Sequence, residues 1–236
     1  MSQKLLAMVT AAVITLTGCG FPPIPHSSSI HHDSQSIDLA KTELTRAEVR
    51  MSAGKLNIQG GSPKLLEADF TYGDPSWKPN VRYSVTGSRG QLSVEQPGGI
   101  PSGNSGEYEW TLRFSNDQPL DLTTHFGAGH ARMNLGSLAL RNLGVHMGVG
   151  ELELDLRGDP KSDYEVQVHG GVGKATIHLP KNVGIKATAR GGIGDVEVRG
   201  LEKRDGRWVN PGQENAPVTI RVEVTGGVGQ IRLLAE

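Results

Sequence analysis

Five segments of the chain carry one signature: FGAGHARMNL, MGVGELELDL, GGVGKATIHL, GGIGDVEVRG and GGVGQIRLLA. MSAGKLNIQG precedes them with only the second glycine kept, and GSRGQLSVEQ is fainter still. That second glycine falls at Gly54, Gly90, Gly129, Gly150, Gly173, Gly194 and Gly229. The four middle ones are spaced by 21, 23 and 21 residues, and a fixed period in this range marks a solenoid. Apolar residues recur two places later (Leu56, Leu92, Ala131, Leu152, Ala175, Val196, Ile231) and four places later (Ile58, Val94, Met133, Leu154, Ile177, Val198, Leu233). Five places earlier stand Val49, Val85, Thr124, Val145, Val168, Ala189 and Val224. The residues between are mostly polar, as at Lys55, His130, Glu151, Lys174, Asp195 and Gln230. Period-two alternation on both sides of a glycine reads as strand, tight corner, strand. One apolar face per unit buries a continuous core only when the units stack. The expected fold is all-β: a single-stranded, right-handed β-solenoid with coils of about 21–23 residues and Gly-x-Gly corners. Glycine suits such a corner because it accepts a positive φ and close backbone approach. The residue between the glycines (Ala128, Val149, Val172, Ile193, Val228) is expected to point inward and fill the corner.

The segment GGVGK also invites comparison with a phosphate-cradling loop. That loop needs Gly five places before its Gly-Lys pair and Ser or Thr after the Lys. Val168 and Ala175 stand there, so the pattern fails twice, and Lys174 is one member of a variable solvated column. Calcium-binding nonapeptide repeats have a shorter period, and Asp195 sits one place too early for them. No cofactor or metal is expected.

The only cysteine is Cys19, so an intrachain disulfide is excluded. Lys4 begins a positive leader, and Leu5 to Leu16 is an apolar run too short to span a bilayer as an ordinary helix. Leu16-Thr17-Gly18-Cys19 resembles the lipobox of bacterial lipoproteins. The resemblance implies cleavage before Cys19, a diacylated thiol and attachment to a membrane through those chains. Gly20, rather than Asp, follows, which in diderm bacteria favours the outer membrane. Residues 1–18 are thus expected as signal peptide, and residues 19–37, rich in Pro, Ser and His, as a flexible tether. His26, His31 and His32 read as chance histidines within it. The formal net charge of −1, with 24 basic and 25 acidic residues, supplies no nucleic-acid groove or polybasic membrane face.

Three insertions interrupt the repeat, at about residues 60–78, 97–107 and 201–217. The first holds an alternating strand, Leu66 to Tyr72, and turn signals around Trp77; Glu109 to Ser115 is another strand. RMSAGKLNIQGG followed by LLEADFTYGDPSWKPNVRYS resembles the toast-rack N-terminal domain of bacterial envelope proteins. IHLPKNVGIKATARGGIGDVEVRGLEKRDGRWVN is similar to the C-terminal domain of LiaF-like proteins, which restrain envelope-stress kinases under cell-wall antibiotics. The resemblance implies a stack of β-coils and no catalytic residues. It divides the chain into a toast-rack N-terminal region, 38–118, and a glycine-cornered solenoid, 119–236.

No acid–base or nucleophile–base constellation recurs in the outward columns, so a non-enzymatic role is expected. The expected function is a lipid-anchored envelope protein whose solenoid surface binds a partner, an envelope protein or a glycan, or mediates adhesion. A regulator of the envelope-stress response is the alternative, and a carbohydrate-active β-helix enzyme is the third. The column four places before each origin holds Arg50, Thr86, His125, His146, His169, Arg190 and Thr225. Its members His125, His146, His169 and Arg190 form an outward ladder, read first as a solvated row and, as the sharper alternative, as a ligand site for an anion or a metal or a pH-sensitive strip. The stack is expected to end at the strand near Gln230 to Ala235, where a loop or a second copy would cover it.

Overall fold

The alternation resolves into thirteen strands in one sheet, with a single 3-10 turn at Pro75–Trp77 and no α-helix among the described residues. This computed structural model describes residues 30–98, 108–213 and 215–236. The leader, Cys19 and His26 lie outside them.

Five long strands each turn a corner at their glycines: β2 (Leu44–Gly60), β7 (Leu120–Asn134), β8 (Leu140–Asp155), β9 (Tyr164–Leu179) and β13 (Thr219–Ala235). β10 (Gly184–Arg199) is the sixth. They stack in parallel and in register, Gly54 on Gly129 on Gly150 on Gly173 on Gly229 on Gly194. At Gly150 φ is 137°, and a Cβ there would lie 1.9 Å from the Gly129 carbonyl oxygen. Both demands exclude any side chain. On either side of the corner the apolar columns face inward. Leu152, Leu154, Ala175, Ile177, Ile231 and Leu233 are buried, as are Val145, Val168 and Val224.

The corner itself departs from expectation. Val149, Val172, Val228 and Ile193 point out, 55%, 48%, 47% and 74% exposed. Alternation counted from the left of the bend and from the right disagree by one residue, and the outer directions of both faces meet at the odd one. What fills the inner corner is the residue three places before the origin. Met51, Phe126 and Met147 do so in β2, β7 and β8. Gly170, Gly226 and Gly191 stand there in β9, β13 and β10, beside a slot of about 20 Å³.

The stack does not follow the chain. Its order is β2-β7-β8-β9-β13-β10, so β13 is inserted between β9 and β10. The strand expected to end the solenoid is therefore flanked on both sides, and the end belongs to β10. There, a hairpin of β11 (Glu202–Arg204) and β12 (Arg207–Val209) covers only the first half, pairing at Lys186 and Ala187.

At the opposite end β2 forks. Its first half continues into β5 (Arg89–Glu95) and β4 (Asn80–Thr86). Its second half continues into β6 (Glu109–Phe114), β3 (Leu66–Tyr72) and β1 (His31–Ile37). Gly90 pairs with Thr45 inside a straight strand, so it is not a corner, and Val85 and Thr86 leave the columns assigned to them. β1 occupies residues 31–37, which were expected as flexible tether. Its side chains HHDSQSI alternate against β3 but are polar on both faces as far as Ser36, and a single apolar residue, Ile37, makes no alternation that betrays the strand. His31 stacks on Tyr72 at 5.6 Å, and Lys78 Nζ donates to Asp33 at 3.1 Å. Trp110 and Phe70, both fully buried and edge-to-face at 5.4 Å, seal the core at the fork.

Candidate functional site

The bend sets two outer faces at an angle and leaves a ridge between them. Outward positions on the first face form the ladder. In register it runs Arg50, His125, His146, His169, Thr225, Arg190. The rings of His125 and His146 stack at 4.8 Å and 7°, and those of His146 and His169 at 5.2 Å and 15°. Three of the four predicted ladder residues are thus brought together. Arg190 is not, because β13 sets Thr225 between it and His169. Glu48 serves the other end, 3.4 Å from His125 Nε2 and paired also with Arg50. Burial, then the neighbouring His125 and His169, holds His146 below the usual imidazole pKa.

A metal shared by neighbouring rungs would need two ring nitrogens each about 2.0–2.1 Å from the ion. Parallel rings about 5 Å apart do not converge that way. Among the described residues no group of three or more His, Cys, Asp or Glu is placed to hold a metal.

Beyond Arg190 the face drops into a recess of about 440 Å³ beneath the hairpin. Lys186, Arg190, Arg207 and Arg221 line it. Arg190 leans on Glu223 at 3.8 Å and Arg221 on Asp163 at 3.7 Å. At Gly144 the column beside the ladder loses its side chain, which leaves a notch between Thr123 and Gln167 next to His146.

The ridge was missed as a surface from sequence, since an apolar column reads as core. Ala128, Val149, Val172, Val228 and Ile193 align in register along it. Strand spacing of about 4.8 Å makes it a strip roughly 20 Å long. On the second outer face charges alternate across strands instead. Arg132 pairs with Glu153 at 2.9 Å and Arg232 with Glu197 at 2.9 Å.

A glycine-cornered stack of parallel, in-register coils defines a β-solenoid. The profile described as N-terminal domain of toast_rack, DUF2154, matches residues 26–178, and the chain belongs to that family. That span stops at the start of the segment likened to LiaF-like proteins, and no comparison supports that likeness. A crystal structure of a candidate cell adhesion protein from Clostridium sporogenes is 30% identical, with a TM-score of 0.82. The match covers 88% of this chain and 100% of that one. A candidate adhesin from Bacteroides fragilis is 11% identical at a TM-score of 0.37, over 88% of this chain and 98% of that one. At that score it is a distant likeness only. No curated protein matches the chain. Among the described residues no helix is long and apolar enough to cross a membrane.

Proposed function

We propose that the chain is a non-catalytic, lipid-anchored adhesion module of the bacterial cell envelope. One observation carries this reading: an in-register aliphatic ridge that the fold itself holds out to solvent. A contiguous exposed apolar strip, here flanked by glycines with polar columns beyond them, is a usual mark of an interaction surface. The Clostridium sporogenes relative, similar over its whole length and described as a candidate cell adhesion protein, supports the same reading. The partner is an envelope protein or a glycan, met by the ridge on one side and the imidazole ladder on the other.

The decisive test replaces Val149, Val172 and Val228 together by Ser. These side chains are exposed, so the fold should persist, and attachment of cells displaying the protein should fall sharply. Unchanged attachment by a folded triple variant would remove the ridge from the mechanism.

The anchor rests on the lipobox resemblance around Cys19. Cleavage before Cys19 and acylation of its thiol would hold the domain outside the cytoplasm, on the outer membrane of a diderm cell, with the residues before β1 as the link. Cys19→Ser should move the protein from the membrane to the soluble fraction. A variant still sedimenting with membranes after a carbonate wash would refute the anchor.

A further inference from the structure

Among the described residues, four strands bound this sheet: β1, β4, β11 and the second half of β10. Unpaired strand edges are blunted in most proteins by charge, polarity or cover. β1 offers His32, Ser34 and Ser36, and β11 is Glu202, Lys203 and Arg204. β4 shows Val85 among Asn80, Arg82 and Ser84. β10 past its corner is different. Ile193 is 74% exposed and Val196 is 40% exposed. Val196 belongs to the inward column, where Leu152, Ala175 and Ile231 are no more than 6% exposed. The core is left open at its last coil, beside backbone groups that have no strand partner among the described residues.

We propose that a second copy of this chain covers that edge, the two β10 strands pairing antiparallel about a two-fold axis at Glu197. The charge pattern selects this register. Asp195 faces Arg199 of the second copy, twice by symmetry, and Val196 faces Val198 of the second copy, twice. Glu197 meets its own symmetry mate, already neutralised by Arg232 at 2.9 Å and by Arg199. An axis at Val196 would set Asp195 against Glu197, and like charges directly opposite are destabilising. An axis at Val198 would spend Val196 on Gly200, where a φ of 75° ends the strand. Odd and even positions keep their faces in the chosen register, so the two open cores join. The hairpin does not obstruct the pair, because it covers β10 on the other side of the bend. Such a contact is isologous and closes at two copies. The other edges, being mostly polar, do not match this one head to tail.

The test uses the full chain with Cys19→Ser, which removes the only native thiol. Glu197→Cys is then introduced and the protein oxidised. Antiparallel neighbours bring Cβ atoms within about 4.5–5.5 Å, near disulfide reach. A reducible species of twice 25.2 kDa is expected. Glu151→Cys, equally outward but in mid-stack, should not link. Asp195→Arg or Arg199→Asp alone should weaken dimerisation about tenfold in sedimentation equilibrium, and the two together should restore it. Equal linking at residues 197 and 151, or a double variant as weak as the singles, would overturn the proposal. So would a monomeric chain that dimerises once residues 20–29 are deleted, since its own N-terminal segment would then be the cover. Capture of another protein's strand by a monomer would overturn it equally.

Discussion

The tetrapeptide Gly170-Gly171-Val172-Gly173 shows how differently one residue type can be used within a single corner. A Cβ on Gly173 would lie 1.8 Å from the Gly150 carbonyl oxygen, at a φ of 138°. One on Gly171 would lie 2.3 Å from the Gly148 carbonyl oxygen. One on Gly170 would meet only the Thr225 oxygen at 3.9 Å and Met147 Cε at 4.0 Å, at the rim of the corner slot. Gly173→Ala and Gly171→Ala should therefore each cost about 3 kcal/mol or more, or prevent folding. Gly170→Ala should stabilise by about 0.5–1 kcal/mol, by restricting the unfolded chain and filling space. Urea midpoints for the three variants check this order, and a Gly170→Ala variant as weak as the others would contradict it. The need for the paired glycines was legible from recurrence alone. The valine between them was not, because the bend takes an extra residue and alternation loses its parity there. Met51, Phe126 and Met147 carried the missing signal, in a column that the glycines of the later coils interrupt.

Within a strand, the columns make sharper demands. Leu154 is fully buried in β8 while Glu153 points out to Arg132. Leu154→Lys should cost about 3–5 kcal/mol, since it buries an unpaired charge. Glu153→Gln should cost less than about 1 kcal/mol, because exposed ion pairs contribute little. Similar melting temperatures for the two would undo the register. The ladder makes a pH prediction with a definite sign. The folded state holds His146 below its unfolded pKa, through burial first and its two ring neighbours second. Stability from this source is complete above the unfolded value, about 6.5, and is lost as pH falls through the folded value, because the unfolded chain binds the proton first. His146→Gln should flatten the stability profile across that window; a profile unchanged by the substitution would show that the stack has no energetic role. Strands with one apolar face were readable, β3 with its bounds and β6 to within one residue, since Ser115 falls outside it. β1 was not, since it carries one apolar residue, Ile37, at its end and only its partner makes it a strand. Gly90 misled for the opposite reason, as its neighbours Leu92 and Val94 alternate like a coil while pairing with Ala47 and Val49.

Across the molecule, one cluster ties the end of the chain to the stack. Glu236 accepts from Arg157 Nη1 at 2.9 Å and lies 2.6 Å from His178 Nδ1. Arg157 also binds Asp155, and that bond is the main cause holding the Asp155 carboxyl below its usual pKa. Glu236 is lowered too, chiefly by His178. Both carboxylates stabilise the fold above their unfolded values, near 4, and lose that contribution as pH falls through the folded ones. Asp155→Asn should therefore weaken the protein at neutral pH yet converge with the parent in acid; parallel curves by chemical denaturation would reject the linkage. The coil repeat, its period and its outward histidines were all visible in the residues. The stacking order was not, because GGIG in β10 and GGVG in β13 are equally good neighbours for β9, and nothing local ranks them. That ambiguity has a consequence in time. The strand that belongs in the middle of the last three is the one synthesised last. While it is still missing, β9 and β10 are consecutive, matched glycine for glycine, and free to zip together. The finished order then requires either that β10 wait unpaired or that an early pairing be undone before β13 enters. A chain ending at residue 201 should settle with β10 directly against β9, and the complete chain should show a slow last step in refolding that this shortened one lacks.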